Sequence, residues 1–236
     1  MMKRSRSYNA KIALLEREKV YPLREAIELL KKTSTARFPE TAEAAIVLGI
    51  NPSQHQVRGT CSLPHGTGKA VRVLVFARGE KVREAEAAGA EYAGGEELAE
   101  RIQKEGWLEF ERVVATPDMM SVVGRLGKIL GPRGLMPSPK TGTVSMDVGA
   151  VVRELKAGMI EFRTDRYGIV HAIVGKADFE AEKLAENLIA LVHAVLERRP
   201  EGVRGRYVQR VSISATMGPG IRVDEAELVA AAQKRG

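Results

Sequence analysis

Between residues 71 and 130 short apolar runs alternate with helix-length amphipathic ones, and this alternation restricts the fold more than any other feature of the chain. Residues 71–77 are a continuous apolar strand broken only by Arg72, and 91–94 and 113–115 are shorter strands. Residues 79–88, 96–105 and 117–130 have the pattern of helices. Strands that recur after a helical crossover pair in parallel and are covered by the helices between them. A further helix is predicted over 147–156, with Val148, Val151, Val152 and Leu155 at its buried positions.

Between the last two helices lies Gly131-Pro-Arg-Gly-Leu-Met-Pro-Ser-Pro-Lys140. Three prolines and two glycines in ten residues cannot continue a helix, because each proline fixes φ and removes a donor while each glycine relaxes the chain. Leu135 and Met136 are apolar anchors, so this is a built loop and not a polar linker. It suits either a rigid structural cap or a binding element.

The flanks follow other patterns. Residues 1–8 are basic and expected to be mobile, and 9–18 read as a short helix. A clearer helix begins at Pro22, with Leu23, Ala26, Ile27 and Leu30 on one face, and ends at Thr33-Ser-Thr35. Residues 42–51 and 56–63 read as strands. On the far side, 160–163 and 169–174 read as a hairpin around Asp165-Arg-Tyr-Gly168, followed by a long helix capped by Asp178 and running to Arg198 and Arg199. A last strand over 207–214 leads through Thr216-Met-Gly-Pro-Gly220 to Ile221-Arg-Val223, and 224–236 form a marginal helix. Pro64-His-Gly-Thr-Gly68 and Ala157-Gly158 are candidate hinges where the pattern changes. Whether the flanks fold separately or together, the residues alone leave open.

Charge separates the same regions. The chain carries a net +7, but residues 69–158 hold 14 basic against 13 acidic residues, so the flanks hold 23 against 17. An excess confined to the flanks suggests an anionic partner there. Aromatics are only 5% of residues, with Trp107 the single tryptophan, which disfavours a base-stacking platform and favours folded RNA read by shape and backbone. The lone Cys61 fits a reducing compartment and excludes both an internal disulfide and a cysteine-based zinc cluster. No apolar run reaches membrane-spanning length, and the N-terminus lacks a signal-peptide core.

Enzyme chemistry finds no purchase. Gly66-Thr-Gly-Lys-Ala70 lacks the spaced first glycine and the hydroxyl residue after lysine that a phosphate-binding loop needs, and no G-x-G-x-x-G follows the strand at 71–77. His55, His65, His171 and His193 fall in separate segments without metal-ligand spacing, and no serine sits in a nucleophile elbow. No catalytic residue, cofactor or metal is expected.

Leu126-Gly-Lys-Ile-Leu-Gly-Pro-Arg-Gly-Leu-Met-Pro-Ser-Pro-Lys140, with Gly142-Thr-Val144 after it, resembles the signature of the L-one family of large-subunit ribosomal proteins. Arg37-Phe-Pro-Glu-Thr41, Val57-Arg-Gly-Thr60, Leu63-Pro-His-Gly66 and Thr216-Met-Gly-Pro219 extend the match over nearly the whole chain. Ser138 stands where the family has asparagine, Arg37 and Arg166 where lysine is common, and Pro39 where an acidic residue is usual.

The resemblance implies an α/β protein of two domains. Residues 1–67 plus 159–236 would make a discontinuous α+β RNA-binding domain, and 68–158 an inserted Rossmann-like parallel α/β domain, with Gly66, Gly68 and Gly158 at the hinge. It places RNA binding on Arg37, Phe38, Glu40 and Thr41, on Asp165 and Arg166, and on Ser212, Thr216, Met217 and Gly218, with Arg133 and Lys140 as a secondary contact. By residue type alone Phe38 belongs in a core. The implied function is a cytoplasmic, ribosome-bound constituent of the large subunit, a monomer when free. It would bind the ribosomal RNA stalk near the tRNA exit site, assist release of deacylated tRNA, and repress translation of its own messenger RNA.

Overall fold

The computed structural model describes residues 5–16 and 18–234; part of the basic N-terminal stretch, residues 1–4, lies outside them. In chain order the elements are α1 (Arg6–Ala13), α2 (Leu23–Thr33), β1 (Thr41–Leu48), β2 (Arg58–Ser62), β3 (Val73–Phe76), α3 (Glu80–Ala87), β4 (Tyr92–Gly94), α4 (Glu96–Glu105), β5 (Arg112–Ala115), α5 (Met120–Arg125), α6 (Gly127–Leu130) and α7 (Val148–Ala157). Then follow β6 (Met159–Arg163), β7 (Ile169–Lys176), α8 (Ala181–Glu197), β8 (Val208–Ala215), β9 (Ile221–Val223) and α9 (Glu225–Gln233). The chain divides into two compact units, one of Met1–Gly68 with Ile160–Gly236 and the other of Lys69–Met159.

The first unit is built on an antiparallel sheet of order β7-β1-β8-β9. Ala42, Ala44, Ile46 and Leu48 of β1 alternate into the core, where they meet the apolar faces of α2 and α8. On α8 the buried Leu184, Leu188, Leu191, Val192 and Val195 follow helical spacing. The helix begins two residues later than expected: Glu180 stands at the cap position, and Asp178 is exposed and does not cap it. At the other end of the unit α1 begins at Arg6, capped by the Ser5 side chain, so the expected mobile stretch is helical from that residue on.

Two further expectations change here. Strands β6 and β7 do not form a hairpin ladder: β6 pairs with β2 in a separate two-stranded sheet, β7 pairs with β1, and one bridge between Thr164 and Val170 links them. The burial of Ile160 and Phe162 against the same core explains why β6 is drawn away from β7. The alanine-rich tail is a packed helix and not a marginal one. Asp224 accepts from the N–H groups of Ala226 and Glu227, and Leu228 and Ala232 are buried.

The second unit holds the parallel sheet, in order β4-β3-β5. Val73 and Val75 of β3 face a cluster with α3 and α7, whereas Leu74 and Phe76 face one with α4, α5 and α6. Burial on both faces is why this strand is apolar at every position. The single helix expected over 117–130 is broken into a 3-10 turn at Pro117–Met119, then α5 and α6, with Leu126 at the break. Gly124 and Gly127 flank that break and weaken helix continuity. Trp107 is buried edge-on against Tyr92 and Phe110, in the core and not on a binding face.

Asn187, fully buried on α8, fixes the end of the first unit's N-terminal segment. Its amide donates to the carbonyls of Gly66 (3.0 Å) and Val174 (2.7 Å), and its carbonyl accepts from the His65 N–H (3.1 Å). Replacing Asn187 with leucine removes the partner of one buried backbone carbonyl, that of Val174, and of two partly buried groups, the His65 N–H and the Gly66 carbonyl. The expected loss is about 2–4 kcal/mol in urea unfolding of the full chain; a change below about 0.5 kcal/mol would contradict this role.

Candidate nucleic-acid interface

Where β1 begins and β8 ends, the chain segments before Thr41 and after Ala215 emerge side by side, because Ala42 is paired with Ala215. Glu40 ties them together. Its side chain is 1% exposed, with Oε1 accepting from the Ala36 N–H and Oε2 from the Met217 N–H, each at 2.8 Å. Lys11, itself buried, donates to the Met217 carbonyl at 3.0 Å. Burial alone would push the Glu40 carboxyl up, but the N–H groups of Ala36 and Met217, the Ser34 hydroxyl and the Lys11 charge outweigh it and hold the pKa below the ordinary 4.5.

Around this anchor the loop surfaces are fixed by short bonds. Thr216 Oγ1 accepts from the Thr41 N–H at 2.9 Å, Lys176 Nζ donates to Thr41 Oγ1 at 3.0 Å, and the Gly218 N–H donates to the Ala215 carbonyl at 2.9 Å. The outcome is a rim with Phe38 51% and Met217 58% exposed, Arg37 also exposed, and the buried charges of Glu40 and Lys11 close to balance. An exposed phenylalanine corrects the core position that residue type alone favours. Phe38 sits beside Pro39 in the connection between α2 and β1, outside any helix or strand whose face would bury it.

From this rim the solvent-facing side of the sheet runs the length of β1. Glu43, Ala45 and Val47 alternate outward, flanked by His171 and Ile173 of β7 and by Arg210, Ser212 and Ser214 of β8. Ser212 lies mid-strand, paired with Ala45 and with Arg222 of β9.

Asp165 and Arg166 lie at the opposite end. Ile169 pairs with Val47, whereas Lys176 pairs with Thr41, so about 24 Å of strand separates the two loops. Asp165 Oδ1 accepts from the Ile169 N–H (2.9 Å) and the Tyr167 N–H (2.8 Å), and these bonds, the Ile169 one foremost, hold its pKa low against partial desolvation. The Arg166 guanidinium lies 5.1 Å from the centre of the exposed Tyr167 ring.

The residues expected to bind RNA therefore form a strip with two ends, not one pocket. Two of them do not face outward as free groups: Glu40 is engaged in holding the rim, and Asp165 in closing its own turn. Lys11 and Lys176 belong to the site and were not expected. Lys11 sits among the apolar residues of α1 with nothing in the sequence to show that its ammonium reaches a loop more than two hundred residues away. In the second unit Arg133 and Lys140 are exposed on a loop held by the Ser138, Thr141 and Thr143 hydroxyls, and Ser138 caps the turn by accepting from the Lys140 N–H at 3.3 Å. Among the described residues no group of three or more His, Cys, Asp or Glu side chains could hold a metal ion.

Known proteins match this chain over most of its length. A family described as the ribosomal protein L1p/L10e family matches residues 30–219. The large ribosomal subunit protein uL1 of Thermosipho melanesiensis is 56% identical over 230 residues, which are 97% of this chain and 99% of that protein.

The Glu40 anchor makes a pH-dependent contribution of known sign. A depressed folded-state pKa stabilises the fold fully above the ordinary value of 4.5 and loses that contribution as pH falls through the lower folded value. Glu40→Gln can satisfy only one of the two backbone N–H groups. It is expected to cost about 1–3 kcal/mol at pH 7, with the gap to wild type narrowing in denaturant titrations below pH 4.5. A gap that stays constant down to pH 3 would contradict the assignment.

Proposed function

The chain belongs to the ribosomal protein L1p/L10e family, whose members are structural ribosomal proteins and not enzymes, and from this we propose that it binds the stalk of large-subunit ribosomal RNA near the tRNA exit site. The observation that carries the reading is the rim fixed by Glu40, Lys11 and Thr216 at the head of the open sheet face. A rim already held by buried bonds loses little conformational freedom on binding. Phe38 and Met217 offer apolar contact to sugars and bases, and the hydroxyls of Thr41, Thr216 and Ser212 suit 2′-hydroxyls and base edges. Arg37 and Arg166 would neutralise phosphates at the two ends of the strip.

In this reading residues 1–67 plus 159–236 act as the discontinuous RNA-binding domain and 68–158 as the inserted Rossmann-like domain, with Arg133 and Lys140 as a secondary RNA contact. Gly66, Gly68 and Gly158, all at positive φ, serve as the hinge by which the bound protein assists release of deacylated tRNA. Identical domain orientation in free and RNA-bound protein, read by solution scattering, would count against that motion. The protein works in the cytoplasm on the ribosome and is a monomer when free. Excess free protein represses translation of its own messenger RNA through the same strip, and so the messenger complex is expected to be the weaker of the two. Equal or tighter messenger binding would refute the feedback.

Met217→Ala keeps the backbone bonds of the rim and removes only the exposed side chain. It is expected to weaken binding to a stalk-like ribosomal RNA fragment about ten-fold or more, whereas Arg83→Ala in the second unit changes affinity less than about two-fold. Equal losses from both would move the site.

A further inference from the structure

The end of the sheet opposite the Glu40 rim has a different chemistry. The Leu48 N–H donates to the Gly168 carbonyl at 3.0 Å, and the next residue, Gly49, donates to the Tyr207 carbonyl at 2.7 Å. The Asp165 turn and the loop between α8 and β8 therefore flank the same strand end. That loop reads Arg198-Arg-Pro-Glu-Gly-Val-Arg-Gly-Arg206, and Arg210 follows on the solvent side of β8. All five arginines are exposed.

Two of the five build the loop. Arg199 donates to the carbonyls of Val203 (2.6 Å) and Gly205 (3.3 Å), and Arg206 pairs with Glu225. The guanidiniums of Arg198, Arg204 and Arg210 have no hydrogen bond or ion pair to any described residue; the stem of Arg198 lies across Gly59. All but one of the nearby acids are engaged elsewhere. Asp165 is held by its own turn, Glu161 by Arg58, Glu225 by Arg206, and Glu197 lies 3.7 Å from His193; Glu201 has no such partner. Three unpaired guanidiniums, with Arg166 at the same end of the sheet, stand against the one unpaired carboxylate of Glu201 and leave a net positive potential there.

We propose that this arginine loop, with Arg210, is a second RNA contact that grips the phosphate backbone about 24 Å from the Met217 rim. The proposal rests on the RNA-binding reading above. A guanidinium fork matches two phosphate oxygens and carries no base information. The loop thus supplies salt-dependent affinity and register, while the rim, where Glu40 and Lys11 are buried against the Met217 backbone and hydroxyl and apolar groups face outward, supplies selection. Two contacts so far apart suit a folded RNA element spanning the sheet face, not a single looped-out nucleotide.

The test uses the full-length triple variant Arg198→Ala, Arg204→Ala, Arg210→Ala. A matched triple in the other unit, Arg83→Ala, Arg125→Ala, Lys128→Ala, removes the same net charge. Affinity is measured from low to high salt for a stalk-like ribosomal RNA fragment and for an unrelated hairpin of equal length. The loop variant is expected to melt like wild type and to keep its preference between the two RNAs. Its plot of log affinity against log salt should be shallower by about 2–3, near one unit for each phosphate no longer neutralised, while the matched triple changes the slope by less than about one unit. An unchanged slope overturns the proposal and leaves the loop to a protein partner, and equal slope changes in both triples overturn it in favour of net charge alone. If wild type shows no preference for the stalk fragment, the ribosomal RNA reading fails, yet the slopes still decide whether this loop holds phosphate.

Discussion

Strand β1 has no partner among its sequence neighbours. Both of its ladders, to β7 and to β8, reach across the whole of residues 69–159, and β2 finds its partner in β6 just beyond the same stretch. The sheet that carries the candidate interface can close only after the middle of the chain has been made, and its pairings carry a large loop-closure cost until that middle is compact. An independently packed parallel α/β unit between the two halves lowers that cost, because a folded insertion shortens the effective loop. Everything at the interface inherits this arrangement: Glu40 meets Met217, and Thr41 meets Thr216, only because β1 and β8 lie side by side.

Two kinds of electrostatics then coexist on one unit. At the Thr41 end the charges of Glu40 and Lys11 are buried and satisfied, so that what reaches solvent is hydroxyl, backbone and apolar surface with the single guanidinium of Arg37. At the Leu48 end guanidiniums are exposed, and the carboxylates with partners are engaged in turns or ion pairs. A protein that must distinguish one folded RNA from many benefits from keeping these apart, since phosphate attraction at the reading surface would favour any RNA equally.

Much of this was legible in the residues. The strand and helix alternation over 71–115 identifies the parallel sheet, because strands buried on both faces are apolar throughout, and the helix over 96–105 agrees with the structure residue for residue. The excess of charge in the flanks points to the unit with the exposed arginines. What failed had local causes: Gly124 and Gly127 break a helix that apolar spacing alone continues, and β6 and β7 look like a hairpin because the Asp165 turn is genuine even though its strands pair elsewhere. The site was legible only as a set of segments. Nothing in sequence spacing shows that Lys11 reaches Met217, that Glu40 is buried beneath the rim, or that Asp165 lies a full strand away from Thr216, since each depends on long-range register.

The most direct measurement of the central claim compares affinity for a stalk-like ribosomal RNA fragment with that for an unrelated hairpin of equal length, at low and at high salt, using the unmodified protein. Selection by a preorganised rim predicts that the preference for the stalk fragment survives at high salt while both affinities fall. If the two RNAs bind alike and both collapse together as salt rises, binding is charge alone, and the rim built on Glu40 reads nothing.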